Sequence, residues 1–131
     1  MVFNMIQTQT KLKIIDNSGA KVSQCIKVLW GYRKKNAKVG DTIVVSIKKV
    51  KTGNSNTKSK IRKGHVTKAL VLQTKKAIHR KDGSSLRFKD NSALILNQQG
   101  QPSGTRVLGV IPKEIKQYKQ ARVASLAPGI L

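Results

Sequence analysis

The sequence predicts a mainly β fold, a small closed or half-closed barrel of short strands with a short helical region at the C-terminal end. Three observations carry that prediction. Aliphatic residues recur at period 2 in several short runs, turn residues punctuate those runs at close spacing, and helical signals are confined to the last twenty or so positions. At 131 residues, the chain has the length of one domain, and 1–131 reads as a single unit without internal repeats. Hydrophobic residues make up 38% and aromatics only 4%, which supports a lean core.

The elements follow in order. Leu12 and Ile14 alternate with Lys11 and Lys13, and Asp16-Asn17-Ser18-Gly19 supplies the turn that ends this first strand. Val22, Ile26, Val28 and Trp30 fall on one face of the next strand, with Lys27 on the other. Gly31 to Asn36 form a basic loop, and Val39-Gly40-Asp41 leads into Ile43, Val45 and Ile47, a β-branched run at period 2. From Lys48 to Lys63 the alternation stops. Thr52-Gly53-Asn54-Ser55-Asn56-Thr57 is small and polar, bracketed by lysines, and 48–63 is expected to be a flexible basic loop.

Strand signals resume at Val66, Leu70 and Leu72. Lys81-Asp82-Gly83-Ser84 reads as a tight type I′ hairpin turn joining Thr74–Arg80 to Ser85–Phe88, a basic β-ribbon over 74–88. Ala93–Leu96 is a further strand, 98–102 a turn, and Val107–Ile111 a last strand. Pro112 suits a first helical position and Glu114 a positive helix start, so 112–124 reads as helical, with Ile115, Tyr118 and Arg122 on one face.

Charge decides the class of partner. The chain carries 27 basic and 5 acidic side chains, a net +22, and the run from Thr42 to Lys81 contains no acid. Twelve of the basic residues lie between Lys48 and Lys81. Such a charge requires a polyanion close by, and its self-repulsion weakens the free protein, so the fold is expected to be more stable with its partner bound.

Other classes lack their chemistry. Cys25 is the sole cysteine; it permits no intramolecular disulfide, reads as a buried small hydrophobe and fits a reducing compartment. No apolar run approaches the roughly 18 residues of a membrane span, and no helix has an apolar face for insertion. Met1–Thr10 has neither an apolar signal core nor an Arg/Ser-rich transit pattern. A protein working in an organelle would then be made there, enter by an internal signal, or be seen after processing. The five acids (Asp16, Asp41, Asp82, Asp90, Glu114) are scattered, three of them in turns, and His65 and His79 lie fourteen positions apart. Neither a metal site, a nucleophile elbow nor a phosphate-cradling glycine loop can be drawn from these residues. The reading is a non-enzyme with no cofactor, no metal and no small-molecule substrate.

Basic loops and a basic hairpin projecting from a barrel are the arrangement expected for phosphate contact. Phe3, Trp30, Tyr32, Phe88 and Tyr118 do not alternate along one strand, which weighs against a single-strand stacking platform. Folded RNA, met by shape and backbone, is the better fit.

The ordered motifs resemble the universal large-subunit ribosomal protein L-fourteen family. The likeness begins with Ile6-Gln7-Thr8-Gln9-Thr10 and Asp16-Asn17-Ser18-Gly19-Ala20, and continues through Cys25-Ile26-Lys27-Val28-Leu29 and Val39-Gly40-Asp41. Its centre is Ala69-Leu70-Val71-Leu72, a nine-residue spacer, Asp82-Gly83, Phe88, Asn91 and Leu94-Ile95, with Leu94 where Val is usual. Gly104-Thr105-Arg106 and Ser125-Leu126-Ala127-Pro128 complete it. The resemblance implies a five-stranded β-barrel with a projecting β-ribbon and a short helical C-terminal region. It also implies binding to large-subunit rRNA near the sarcin–ricin region, beside proteins of the L-three and L-nineteen families. A further face is implied to meet small-subunit rRNA in intersubunit bridges and to receive the ribosome-silencing factor.

The expected rRNA contacts are Arg33, Lys34 and Lys35 in the first basic loop, and Lys48, Lys49, Lys51, Lys58, Lys60, Arg62 and Lys63 around the second. Lys75, Lys76, His79, Arg80, Lys81 and Arg87 are expected to contribute from the ribbon. The face toward the small subunit and the silencing factor carries over to Thr105, Arg106, Arg122 and Ser125. The ending resembles bacterial and organellar members, while the longer 48–63 loop and extra N-terminal residues depart from the bacterial pattern. With the Lys- and Asn-rich composition, these features point to the matrix of a mitochondrion over a bacterial cytoplasm. The alternative is an RNA-binding barrel outside the ribosome, an RNA chaperone or translational regulator.

Overall fold

Alternation becomes a strand wherever one side has water and the other has a core. The computed structural model describes residues 6–29, 36–50, 63–104, 106–117 and 121–130. Along it run β1 (Lys11–Ile14), β2 (Ala20–Val28), β3 (Thr42–Val50), β4 (Val66–Gln73), β5 (Ile78–His79), β6 (Ser85–Leu86) and β7 (Ser92–Ile95), then the helices α1 (Glu114–Gln117) and α2 (Ala121–Leu126). Five strands form a closed barrel in the order β1-β2-β3-β4-β7, and β5 pairs with β6 in a separate ribbon. Barrel neighbours are antiparallel except β1 and β7, which pair in parallel through Lys13–Ser92 and Ile14–Ala93. Closure removes the exposed sheet edges that would otherwise invite pairing with other chains.

Two apolar clusters result. Leu12, Cys25, Ile43, Val45, Ile47, Ala69, Val71, Ala93 and Ile95 fill the barrel interior. Leu70 and Leu72 of β4, Leu94 of β7 and Leu96 just beyond it cluster with Val107, Ile111, Ile115 and Val123 of the C-terminal segment. From Ala69 to Leu72 both faces of β4 are therefore buried, as are both faces of β7. That is why Ala69–Leu72 and Ala93–Leu96 are uninterrupted apolar runs, whereas β1 and β3 alternate.

The second strand departs from its predicted face. Its pairing with β3 shifts register three times: β2 carries an extra residue between Ala20 and Val22 and again between Cys25 and Lys27, and β3 carries one opposite the Val22–Ser23 step. Each extra residue reverses the alternation, so Ala20, Ser23, Cys25 and Val28 are buried while Ile26 is 46% exposed. Of the expected inward residues Val28 is buried, Val22 is half-buried, and Trp30 lies outside the described residues. Cys25 is buried as expected; burial pushes its thiol pKa up, partly offset by a backbone hydrogen bond with Lys27.

Three other expectations are corrected. Lys48 and Lys49 belong to β3, which runs on to Val50 because Val22 pairs with Lys49 and Ala20 with Val50. The remainder of the expected loop, 51–62, lies outside the described residues. The 81–84 turn is not type I′. Gly83 N–H bonds to Arg80 O at 3.1 Å and Arg80 N–H to Ser84 O at 2.9 Å, with Gly83 at φ 89° and Asp82 not at positive φ. This is a three-residue loop closed by a glycine bulge, and Asp82 braces it by accepting the Ser84 N–H and hydroxyl. Those two Ser84 bonds hold the Asp82 carboxyl below its ordinary pKa.

Finally, 107–111 is not a strand. Val107 bridges Asp16, while Ile111 bridges Ile130, so its two ends are tied to different partners. The segment caps the outer cluster instead of extending a sheet. The helical prediction over 112–124 resolves into two short helices, with Ile115 and Val123 fully buried and α2 reaching Leu126. Tyr118, placed on their shared face, lies outside the described residues.

Candidate nucleic-acid interface

The cylinder has one covered side and one open side. On the open side, pairing aligns exposed lysines with half-buried residues in rows across the strands: Lys13, Val22 and Lys49 in one, Lys27, Val44 and Lys68 in another, with Lys11 beside Gln24 and Ser46. Lysines two strands apart in a row sit roughly 10 Å from each other. The strands β1 to β4 contain no Asp or Glu, so no carboxylate within them offsets this charge. Lys11, Lys13, Lys27 and Lys68 are absent from the predicted site. Their signal is the polar half of the same alternation that marks the core.

The ribbon places its cations on two sides. Lys75 and Arg87, with Phe88 and Lys89, line one cleft of about 520 Å³. Lys76 and His79 line another of about 410 Å³, together with Lys38, Ile78 and Glu114. His79 is exposed, and its Nδ1 lies 3.0 Å from Ser85 Oγ across the ribbon. Lys81 is exposed at the tip. Arg80 differs from its neighbours: its Nε donates to Glu114 Oε1 at 3.0 Å, with the two side chains only 19% and 18% exposed. Its first role is to tie the ribbon to α1. Burial pushes the Glu114 pKa up, but the Arg80 hydrogen bond and charge outweigh it and hold the carboxyl below its ordinary value.

Around the C-terminal segment, Asn17 accepts the Arg106 N–H at 3.1 Å and donates its own N–H to Arg106 O at 3.3 Å. Gly104 makes that approach possible, because a Cβ there would lie 2.5 Å from Asn17 Oδ1. Asp16, fully buried, holds the same turn by accepting the Ser18 N–H at 3.2 Å and reaches the barrel by accepting the Ile95 N–H at 3.1 Å. Val107 N–H bonds Leu126 O at 3.3 Å, which brings Arg106 and Ser125, both exposed, to flank one contact. Two separated motifs, 16–20 and 104–106, are thus halves of one turn-on-turn contact.

Of the remaining predicted residues, Lys63 is exposed in the turn that precedes β4, and Lys48 and Lys49 are exposed on β3. Arg33, Lys34, Lys35, Lys51, Lys58, Lys60, Arg62 and Thr105 lie outside the described residues, as does the Arg122 side chain. Among the described residues no three His, Cys, Asp or Glu side chains gather as metal ligands, and no helix is long and apolar enough to cross a membrane. What the described surface offers is cationic side chains on a rigid closed sheet, suited to holding phosphates.

The family model described as ribosomal protein L14p/L23e matches residues 5–131. The match takes in both halves of the Asn17–Arg106 contact, all five barrel strands and the ribbon, and so nearly the whole chain. With the match running over nearly all of a chain that closes into a five-stranded barrel, the chain belongs to the ribosomal protein L14p/L23e family.

Proposed function

We propose that this ribosomal protein is a structural constituent of the large subunit, anchored to rRNA by its basic side and turned toward the small subunit by the face around 105–125. The observation that carries the reading is the distribution of charge: exposed lysines in rows on an acid-free β1–β4 surface, continued by Lys75, Lys76, Lys81 and Arg87 on the ribbon. Phosphate contacts of this kind are independent of sequence and sensitive to salt. Lys48 and Lys49 are exposed on β3 and Lys63 in the turn before β4.

Thr105, Arg106, Arg122 and Ser125 form the bridging face, which meets small-subunit rRNA and receives the ribosome-silencing factor. Supporting this reading, Arg106 and Ser125 are both exposed beside the same backbone contact. Proteins of the L-three and L-nineteen families are the neighbours within the subunit, and the mitochondrial matrix is the compartment. A test separates the two faces. Changing Arg106 and Arg122 together to Glu should weaken subunit joining in sucrose gradients while leaving the protein stoichiometric with the large subunit. Loss of incorporation would overturn the face assignment. Loss of the unaltered chain from large subunits under a salt wash that retains other core proteins would overturn the structural role.

A further inference from the structure

The four residues that line the 520 Å³ cleft beside the ribbon combine two chemistries. Lys75, Arg87 and Lys89 are exposed cations, and Phe88 is a half-buried aromatic ring. Phe88 belongs to neither apolar cluster, so core packing does not account for it. Among the described residues it is the sole Phe, Tyr or Trp. Its backbone is fixed: the Phe88 N–H bonds Thr74 O at 3.2 Å, and Thr74 is itself buried. The Lys75 backbone is fixed as well, its N–H bonded to Asn91 Oδ1 at 2.9 Å. Asp90, the nearest carboxylate in sequence, is exposed and does not line the cleft.

A ligand for such a cleft needs a flat π face and negative charge within a few ångströms of it. A phosphate alone would leave the ring unused, and an apolar side chain would leave three cations without a counterpart. We propose that Lys75, Arg87, Phe88 and Lys89 hold a single unstacked nucleotide of RNA, its base against the Phe88 ring and its flanking phosphates on the three cations. The volume falls in the range of small-molecule clefts, roughly 300–1,000 Å³. Folded RNA offers such nucleotides at bulges and loop ends, where bases can be splayed out and stacked on aromatic rings. The proposal rests on the rRNA-binding reading and sharpens it, since one position of contact then depends on an unpaired base and not on backbone charge alone.

The test titrates the full chain against two RNA hairpins with equal numbers of phosphates, one fully paired and one carrying a single bulged 2-aminopurine nucleotide. The unaltered protein should bind the bulged hairpin about tenfold more tightly, the low end of what one base–aromatic stack contributes, with quenching of the probe. Phe88→Leu should abolish both the preference and the quenching without changing affinity for the paired hairpin, and Phe88→Tyr should restore them. A preference that survives in Phe88→Leu overturns the proposal, as does equal binding of the two hairpins by the unaltered protein. Failure to bind either hairpin would instead sink the rRNA reading beneath it. Where Phe88→Leu does not fold, ultraviolet cross-linking of the unaltered chain to the bulged hairpin decides. A nucleotide adduct on the peptide containing Phe88 supports the cleft, and adducts confined to other peptides overturn it.

Discussion

Ser23 and Ser92 each bury a hydroxyl with no hydrogen-bond partner among the described residues. Ser23 sits between Leu12 of β1 and Ile47 of β3, in the barrel interior, where a bulge has turned a polar residue inward. An unsatisfied buried hydroxyl costs about 1–3 kcal/mol, and deleting it leaves only a small void. Ser23→Ala should therefore leave the denaturation midpoint unchanged or raise stability by about 1 kcal/mol. A loss of more than that would mean the hydroxyl is bonded after all. Gly104 carries the opposite constraint. A methyl group 2.5 Å from Asn17 Oδ1 must displace the acceptor that receives the Arg106 N–H. Gly104→Ala should cost about 1 kcal/mol, and Asn17→Ala should add little on top of it, because both remove one shared hydrogen bond. Full additivity in a double-mutant cycle would show the two to be independent.

The ribbon of β5 and β6 is too short to stand alone, with two residues in each strand, and its attachment runs through Arg80 and Glu114. Glu114→Gln should destabilise the fold by about 1–2 kcal/mol, since a largely buried guanidinium then loses its charged acceptor. Arg80 and Glu114 also predict an acid response. The Glu114 pKa is depressed in the folded state, so its contribution is full above the unfolded value and lost as pH falls through the lower folded value. Thermal melts followed downward through the carboxylate range should show a steeper loss for the unaltered chain than for Glu114→Gln; parallel curves would remove Glu114 from the account. This pair was only half legible in the sequence. Glu114 reads as a helix-start residue and Arg80 as one more ribbon cation, and thirty-four positions separate them, so nothing local joins them. The turn at Gly83 was legible in position but not in type, because the residue pair fits either of two loops. The length of the ladder beyond it decides.

For the molecule as a whole, the barrel was readable because β1 and β3 alternate cleanly, and the run at 107–111 misled because its burial comes from two unrelated partners. The outer apolar cluster was foreshadowed by the four-residue apolar runs Ala69–Leu72 and Ala93–Leu96, which no one-sided strand would need. Charge is the other global property. With +22 on 131 residues, repulsion opposes the folded state, and raising salt from about 0.01 M to about 0.15 M shortens its range from about 30 Å to about 8 Å. The melting temperature of the isolated chain should rise over that interval, and a fall would mean that specific ion pairs outweigh the net repulsion. The parallel pairing of β1 with β7 has its own consequence in time. Lys13 and Ile14 are made early, yet their partners Ser92 and Ala93 come about eighty residues later. Contacts so distant along the chain form slowly, and a chain emerging from the ribosome at about 5–20 residues per second waits several seconds before the strands that close its barrel coexist. Until then β1 and β4 each lack the neighbour that closes the barrel, and early contact with RNA or a chaperone would shield those edges until the last strand arrives.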